Sequence, residues 1–439
     1  MPKVQEQLED GNRVQRLILF LEKVQSIPPE WLEEPISDGE EQLKPVACTS
    51  YAVLVEAWQK AMKWTEGLDA GLCVMLASNL STMVVGDQLW VKVLGPASCG
   101  KSTLCEALSV NKQYVIAKST IRGFHSGYTT GGDSEDHSLI SKINGKSLVT
   151  KDGDTIMSSP NVGQILSEGR DVYDTVSRSD YRNGQGKDYE GFRTTWILCG
   201  TNALRKLDTS ELGARFLDCV IMEEIDDEME DDILAMVAAR ANENAEMGVK
   251  EDATTQQDPA LTFAMQLTAG YVSHLRDNDV DILSSVKMDD QSLHKCTRYG
   301  KFVAFLRARP SMHNSENDER EFAARLVSQL TRLAKCVAGV LNKNKVDTEV
   351  LKRVRKVCID TAGGVTYNIA HYLYHSENGM ESKGIAIRAD LDEREAKRMM
   401  RFLVKIGIAE HPVTKQNKKN SQRYILTERM RLLWEEVVI

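Results

Sequence analysis

A chain of 439 residues is too long for one ordinary domain, and 42% hydrophobic with 27% charged residues is a normal composition for a globular protein. The net charge of −9 excludes a protein that is basic throughout, so contact with nucleic acid has to come from local basic patches. Nine scattered cysteines without metal-type spacing predict reduced thiols in a cytoplasmic protein. The most apolar stretch, residues 71–85, is too short to cross a bilayer, so we expect no membrane span.

The N-terminal part of the chain is predicted to be helical. Residues 14–24 place apolar side chains on one face, Pro28-Pro29 interrupts that pattern, and residues 51–63 and 71–85 form two further helical patterns. We assign residues 1–65 to an N-terminal helical region. This region is expected to recruit a protein partner, to mediate oligomerisation or simply to brace the core.

From residue 89 to about residue 225, short apolar runs alternate with helical patterns, which is typical of a mostly parallel sheet in an α/β fold. The predicted strands cover residues 89–94, 114–117, 147–150, 195–199 and 217–222. We therefore expect an α/β core over residues 66–235, a helical region over residues 236–365 and a compact C-terminal domain over residues 366–439.

A phosphate-binding motif directly follows the first predicted strand. It matches G-x-x-x-x-G-K-[ST] at every fixed position and reads Gly95-Pro96-Ala97-Ser98-Cys99-Gly100-Lys101-Ser102, with Thr103 opening a helical run. Backbone N–H groups and a helix N-terminus bind phosphates in this setting. Lys101 is expected to reach the β- and γ-phosphates, and the Ser102 hydroxyl to bind Mg²⁺. The motif predicts an ATPase whose cofactors are ATP and Mg²⁺.

Polar residues follow the next strands, at positions where ATP hydrolysis needs them. Asp152 ends the third strand and is the expected carboxylate for the metal ion. Asp154 is a candidate for orienting the attacking water, with a helix N-cap or turn residue as the alternative. Asn202 ends the fourth strand and is expected to lie beside the γ-phosphate. Arg215 precedes the last strand and can project into a neighbouring subunit's site, with an ordinary surface salt bridge as the alternative.

The order and spacing of these motifs resemble the AAA+ ATPase family, and most of all MCM-like helicases and AAA+ ATPases of phages and mobile elements. The resemblance covers roughly residues 88–360. It implies a P-loop AAA+ core with a parallel sheet, a helical lid and a C-terminal winged helix. Most members of the family carry Asp-Glu where this chain has Asp152-Gly153-Asp154.

The resemblance also assigns roles to three residues. Asn202 matches the sensor-1 residue, Arg215 the arginine finger that acts on the neighbouring subunit, and Arg325 the lid arginine that touches the nucleotide. An arginine finger acting in trans implies a homo-oligomeric ring, commonly a hexamer.

Two loops of the core are candidate DNA contacts. Asn183-Gly184 predicts a hairpin within residues 175–193, which resembles the pore hairpin of MCM and superfamily 3 helicases. The hairpin offers Arg178, Arg182 and Lys187 for phosphates, with a solvated loop as the alternative. The glycine-rich residues 122–132 offer Phe124 and Tyr128 for stacking on bases, with a plain flexible connection as the alternative.

The C-terminal residues have the order of a winged helix, with helices at 384–389 and 392–406 and a hairpin reaching residue 426. Residues 388–431 hold 12 Lys+Arg against 6 Asp+Glu, a local excess of positive charge in an acidic chain. The candidate DNA contacts are Arg394, Lys397, Arg398, Arg401, Lys415, Lys418, Lys419 and Arg423. A winged helix that contacts protein is the alternative.

Together these features predict a ring-forming, ATP-driven DNA helicase or translocase, with a phage or mobile element as its expected source. The alternative is an ATP-switched DNA-binding regulator, loader or defence scaffold that does not unwind DNA. A protein remodeller is a third hypothesis, and the basic C-terminal region argues against it.

Overall fold

The computed structural model describes residues 43–126, 136–180, 186–209, 258–310, 320–412 and 423–439, together with residues 212 and 215–222 and a few positions between 231 and 238. All of these residues lie in one compact unit. Its centre is a five-stranded sheet in the order β2-β3-β6-β1-β7, in which every neighbouring pair is parallel. The strands are β1 (Trp90–Leu94), β2 (Val115–Lys118), β3 (Ser147–Thr150), β6 (Thr195–Gly200) and β7 (Phe216–Val220). The five predicted strands are confirmed, and each end lies within two residues of the prediction.

Helices cover both faces of this sheet. In chain order they are α1 (Tyr51–Ala61), α2 (Glu66–Leu80), α3 (Lys101–Ser109), α4 (Leu139–Ile143), α5 (Asp154–Met157), α6 (Val162–Tyr173) and a 3₁₀ helix (Asn202–Thr209). Because successive strand residues point to opposite faces, the sheet divides the interior into two cores. Val91 and Leu217 lie in the core that includes α2 and α3, and Trp90, Trp196 and Phe216 lie in the other.

Helix α2 is the buried helix expected at residues 71–85, although it begins and ends five residues earlier, at Glu66 and Leu80. Thr65 caps it by accepting a hydrogen bond from the Leu68 amide at 3.1 Å. The polar residues near its end contact the sheet: Asn79 donates to the Ser147 hydroxyl at 2.8 Å, and the Thr82 hydroxyl lies 3.0 Å from that of Thr195. The polar groups that interrupt this apolar stretch therefore fix the helix against the amino ends of β3 and β6.

A second set of helices follows the sheet. They are α7 (Pro259–Asp277), α8 (Asp279–Ser285), α9 (Asp290–Leu306), α10 (Ala324–Val340), α11 (Thr348–Ala362) and α12 (Val365–Tyr374). Helix α7 packs on α1 and α3, while α10 packs on α2, α9 and α11. In the described ranges, no helix is both long enough and apolar enough to cross a membrane.

Side chains of α11 cover the outer edge of β7. The Thr361 hydroxyl accepts a hydrogen bond from the Asp218 amide at 2.9 Å, and the Asp360 carboxylate accepts one from the Val220 amide at 2.7 Å. Lys356 donates to the Val220 carbonyl at 2.6 Å. These contacts satisfy backbone groups that an edge strand would otherwise leave open.

A buried ion pair joins the two strands at this side of the sheet. Lys92 of β1 lies 3.1 Å from Asp218 of β7, and both side chains are completely buried. Arg205 approaches the second carboxylate oxygen of Asp218 at 3.3 Å. A charge at this depth is tolerated only when it is paired, so the two strands depend on each other's side chains.

The C-terminal residues form a small helix–sheet arrangement. Its elements are β8 (Met380–Glu381), α13 (Ser382–Arg388), α14 (Glu393–Lys405), β9 (Ala409–Glu410), β10 (Arg423–Leu426) and α15 (Glu428–Val437), with an antiparallel sheet in the order β8-β10-β9. Helix α14 buries Ala396, Met399, Met400 and Leu403, the apolar face expected from the sequence. Trp434 of α15 packs against Phe302 and Tyr367, which joins this arrangement to the preceding helices.

Candidate functional site

The loop between β1 and α3 has the backbone shape of an anion-binding turn. Ser98 and Gly100 adopt left-handed conformations with φ of 62° and 92°, and α3 begins at Lys101. Left-handed residues within such a turn direct consecutive N–H groups to one side. A Cβ at Gly100 would lie 3.0 Å from Leu68 and 3.1 Å from Met62, so α2 packs closely against this loop and glycine is required there.

Lys101 lies within the loop, and its side chain is directed back along it. The residue is buried, and its ammonium group donates to the Gly95 carbonyl at 2.8 Å and to the Pro96 carbonyl. The same nitrogen lies 3.3 Å from the Cys99 sulfur. By contrast, Ser102 is exposed, and its side chain makes no hydrogen bond to a described residue.

The ends of β1, β3 and β6 are connected through hydrogen bonds. The Gly95 amide donates to the Gly200 carbonyl at 3.3 Å, and the Gly153 amide donates to the Cys199 carbonyl at 2.7 Å. Because parallel strands place their carboxyl ends at one edge, the phosphate-binding loop, Asp152 and Asn202 all lie at the same edge of the sheet. This is the arrangement that the sequence predicts for these residues.

Asp152 and Asp154 differ in their surroundings. Asp152 is exposed, and within the described ranges its carboxylate has no hydrogen-bond or ion-pair partner. Asp154, the first residue of α5, accepts hydrogen bonds from the Thr201 amide at 2.8 Å and the Thr201 hydroxyl at 3.1 Å. Asp154 therefore holds the end of β6, a role other than the N-cap or turn residue given as the alternative, and Thr201 is a residue at this edge that the sequence did not single out.

Asn202 follows this anchored threonine. It is exposed, and its side chain makes no hydrogen bond to a described residue. Its position is therefore fixed by the contacts of Thr201, while its amide group is accessible from solvent.

No three His, Cys, Asp or Glu side chains converge as a metal site in the described part of the chain. A Mg²⁺ ion bound together with phosphates needs only one or two protein oxygens, since waters and phosphates supply the rest. The exposed Ser102 hydroxyl and Asp152 carboxylate are hard oxygen donors at the same edge of the sheet. The residues present therefore fit that ion.

Arg215 lies at the opposite edge of the sheet, because the next residue, Phe216, pairs with Trp90 at the start of β1. Its guanidinium donates to the Leu212 carbonyl at 2.9 Å and to Asp174 at 2.8 Å. The side chain is only 9% exposed. The expectation of a projecting arginine is thus corrected: Arg215 is bonded within its own chain, by an ion pair that is more buried than the surface salt bridge considered as the alternative.

Arg325 also lies at this amino edge, and it does not reach its own phosphate-binding loop. One helical turn further along α10, Gln329 donates to the Arg215 carbonyl at 2.7 Å and the Tyr173 hydroxyl at 3.1 Å. The five residues of β1, at about 3.3 Å each, separate this edge from the loop by roughly 16 Å. Contact between Arg325 and a nucleotide therefore stays a prediction, and it would require the nucleotide of a neighbouring subunit.

Phe124 is completely buried, with its ring edge-on to Trp196 at 5.4 Å between centroids. The side chain belongs to the core under the sheet, so the expectation that it stacks on bases is corrected. Tyr128 and Arg182 lie outside the described residues, as do Lys415, Lys418 and Lys419.

The hairpin expected around Asn183-Gly184 is present as β4 (Val176–Asp180) and antiparallel β5 (Gly186–Glu190). Its two described cations are paired: Arg178 lies 2.6 Å from Glu190 across the hairpin, and Lys187 pairs with Asp136. Tyr189 also donates to Asp136, at 2.7 Å. The candidate phosphate contacts in the described part of the hairpin thus serve its own stability and its attachment to Asp136.

Asp136 is the carboxylate that fixes this hairpin. Burial alone would raise the pKa of Asp136, but hydrogen bonds from Lys187, Tyr189 and Ser138 together lower that pKa below its ordinary value. The carboxylate is therefore ionised at neutral pH, and the attachment is present throughout the physiological range.

The basic face of α14 is exposed. Arg394, Lys397, Arg398 and Arg401 all lie on the solvent side, and Lys397 pairs with Glu393 at 2.7 Å. Arg423, at the start of β10, lies 3.9 Å from Glu381 and donates to the Asn378 carbonyl at 3.3 Å. Four of the predicted C-terminal contacts are thus accessible, while Arg423 already has partners nearby.

Comparison with protein-family models found no match, and comparison with curated protein sequences found none either. What the fold itself defines is an α/β protein whose parallel five-stranded sheet is compatible with a P-loop core.

Proposed function

We propose that this chain binds and hydrolyses ATP with Mg²⁺ at the carboxyl edge of its sheet, as an AAA+-type ATPase. The observation that carries the proposal is the loop from Gly95 to Ser102. Its sequence matches a phosphate-binding motif, its backbone has two left-handed residues, and it connects a buried central strand to a helix N-terminus.

The proposed roles follow from the donor and acceptor atoms that each side chain has available for a ligand. Lys101 would exchange its contacts with loop carbonyls for phosphate oxygens, which are stronger acceptors for an ammonium group. Ser102 and Asp152 would hold Mg²⁺, which neutralises charge on the phosphates. Asn202 would orient the attacking water beside the γ-phosphate, from a position that Asp154 fixes through Thr201.

We assign the amino edge of the sheet to contact with a neighbouring subunit in a homo-oligomeric ring, with a hexamer as the expected form. Arg325 lies at this edge and does not reach its own phosphate-binding loop. Within the described ranges Arg325 has no hydrogen-bond or ion-pair partner, which supports a role toward a second subunit.

The proposed substrate is DNA, which the ring would translocate on or unwind. The support is the exposed basic face of α14, on an arrangement of elements that we interpret as a winged helix, with α7 to α11 as the proposed helical lid. Phosphate contacts of exposed Lys and Arg side chains give affinity without sequence preference. A protein partner for residues 1–65 remains part of the proposal.

One observation favours a second candidate, an ATP-switched regulator, loader or defence scaffold without unwinding activity. Asp154, the carboxylate expected to activate water, is bonded twice to Thr201, and no glutamate follows Asp152. A site without a free base would hydrolyse ATP slowly and hold the bound state for longer.

The deciding experiment measures ATP turnover by the full chain with and without single-stranded and duplex DNA, using Lys101→Ala as the blank. A motor is expected to be stimulated several-fold by DNA and to displace strands from forked substrates. Slow turnover that DNA does not change, with ATP still driving assembly, would replace the motor with the switch. Turnover equal to the Lys101→Ala blank would overturn both.

A further inference from the structure

An open cleft of about 290 Å³ lies beside the carboxyl end of β2, away from the phosphate-binding loop. Its lining comes from the segment after β2 and from α4 and α6. The polar lining residues are Lys118, Arg122, His125, Ser126, His137, Lys142 and Gln164. Among the described residues the lining includes no carboxylate, so this part of the cleft is electropositive within a chain of net charge −9.

Three cations of the cleft have no counter-charge among the described residues. Lys118, Arg122 and Lys142 are exposed, and none forms a hydrogen bond or an ion pair within the described ranges. Two nearby carboxylates already have other partners: Glu168 accepts hydrogen bonds from the Phe124 amide and Gln164, and Asp136 binds Lys187 and Tyr189. Converging cations repel one another, so a bound anion would relieve that repulsion.

The floor of the cleft is fixed by hydrogen bonds. The Leu139 amide donates to the Phe124 carbonyl at 2.9 Å, and the Ser126 amide donates to the Ser138 hydroxyl at 3.0 Å. The His125 ring is only 3% exposed, and its Nε2 lies 3.0 Å from the Ser177 hydroxyl of β4. The backbone that carries Arg122 is thus positioned before any ligand arrives, which lowers the entropy lost on binding.

We propose that this cleft binds the sugar–phosphate backbone of single-stranded nucleic acid, with Lys118, Arg122 and Lys142 as the phosphate contacts. A polymer fits these observations better than a small phosphate compound, because the three cations are exposed around an open cleft instead of enclosing a buried pocket. The hairpin β4–β5 is attached next to the cleft, through the contact between the Ser177 hydroxyl and the lining residue His125. The inference rests on the proposed function, in which DNA is the substrate of the ring.

The experiment measures binding of fluorescently labelled oligo-dT to the full chain by anisotropy over a series of salt concentrations. The test variant is Lys118→Gln/Arg122→Gln/Lys142→Gln. The matched control is Lys60→Gln/Lys301→Gln/Lys352→Gln, which changes the net charge equally. It removes three exposed cations of α1, α9 and α11 that have no partner in the described part of the chain. Each is also made in the Lys101→Ala background, so that phosphate binding at the ATP site does not contribute.

The test variant is expected to lose affinity on the order of 100-fold in ~0.1 M salt. Each phosphate contact contributes roughly 0.7 to the slope of log K against log salt, so the loss of three contacts should lower that slope by about two. The control should bind as the unsubstituted chain does, and Lys118→Arg/Lys142→Arg should retain both affinity and slope. Unchanged thermal unfolding of the test variant checks that it is folded.

Equal binding by the test and control variants would overturn the cleft and leave the proposed ATPase and ring intact. If the unsubstituted chain binds no oligo-dT in any nucleotide state, the cleft and the DNA part of the proposed function both fail. ATP turnover without DNA, measured separately, would still stand.

Discussion

Two groups of polar side chains beside the same sheet differ in their burial and in their hydrogen bonds. The carboxyl-edge group, Ser102, Asp152 and Asn202, is exposed, and its side chains make no hydrogen bonds to described residues. The interior group, Lys92, Asp218 and Gln329, is completely buried and bonded to other parts of the chain. Since folding gains nothing from the first group, its members are available for a ligand. The second group is needed for the fold and has little freedom to bind anything else.

The largest expected effect of a substitution is on the interior group. Asp218→Ala leaves Lys92 buried without its counter-ion, and we expect the free energy of unfolding to fall by about 3–5 kcal/mol. Urea denaturation measures this change. The double substitution Lys92→Met/Asp218→Leu, which removes both charges, should cost far less.

The matched substitution in the carboxyl-edge group should have the opposite profile. Asp152→Ala is expected to change the free energy of unfolding by less than about 0.5 kcal/mol, because the side chain is exposed and has no partner among the described residues. Its ATP turnover should fall at least ~10-fold as the metal carboxylate is lost. A large loss of stability in Asp152→Ala, or none in Asp218→Ala, would break the distinction between the two groups.

A smaller effect is expected for Gln329, which supplies a hydrogen bond to the Arg215 carbonyl at 2.7 Å. Gln329→Met keeps the volume and removes the donor, so we expect a loss of about 1–3 kcal/mol from the unsatisfied carbonyl. Gln329→Glu tests the cause, since a carboxylate would place negative charge against that carbonyl and should cost more than methionine. Equal stability of all three proteins would show that the contact contributes nothing.

The smallest perturbation is chemical modification. Of the nine cysteines, Cys99 alone is not buried. Burial raises the pKa of Cys73, Cys219, Cys296 and Cys336 to about 12, which keeps those thiols protonated at neutral pH and slow to react. Iodoacetamide should therefore alkylate Cys99 at least ~10-fold faster than any other cysteine, as peptide mass spectrometry can measure.

ATP with Mg²⁺ should slow that alkylation, because Cys99 belongs to the loop proposed to bind phosphates. The Cys99→Ser variant gives the background rate of the remaining thiols. Alkylation of Cys99 at the same rate with and without ATP would argue against a nucleotide at this loop.

The sequence predicts the sheet well because each strand is a short apolar run ended by a polar or glycine residue, as in Thr195–Gly200. It also predicts the buried helix α2 and the inward face of α14. These features depend on local patterns of hydrophobicity, which are visible without knowledge of the tertiary contacts.

Other features depend on partners that are distant in sequence. The resemblance assigns Arg325 to contact with the nucleotide from its position in a motif. The packing of α10 against α2 instead places Arg325 at the amino edge of the sheet. Phe124 lies in a glycine-rich segment but fills a space beside Trp196. Lys118 and Lys142 belong to no motif. Parallel sheets bind ligands at their carboxyl edge, and Lys118 ends β2 at that edge, so its position in the sequence is a signal that points to it.

The covered edge of β7 constrains how copies of this chain can associate. Thr361, Asp360 and Lys356 occupy backbone groups that a strand from another molecule would need for pairing. Extension of the sheet from one molecule into the next, the route to domain swapping and fibrous aggregation, is therefore blocked at this side. Any assembly that uses this side of the molecule has to be built from helix and loop surfaces, whose contacts can separate and re-form without disturbing the sheet.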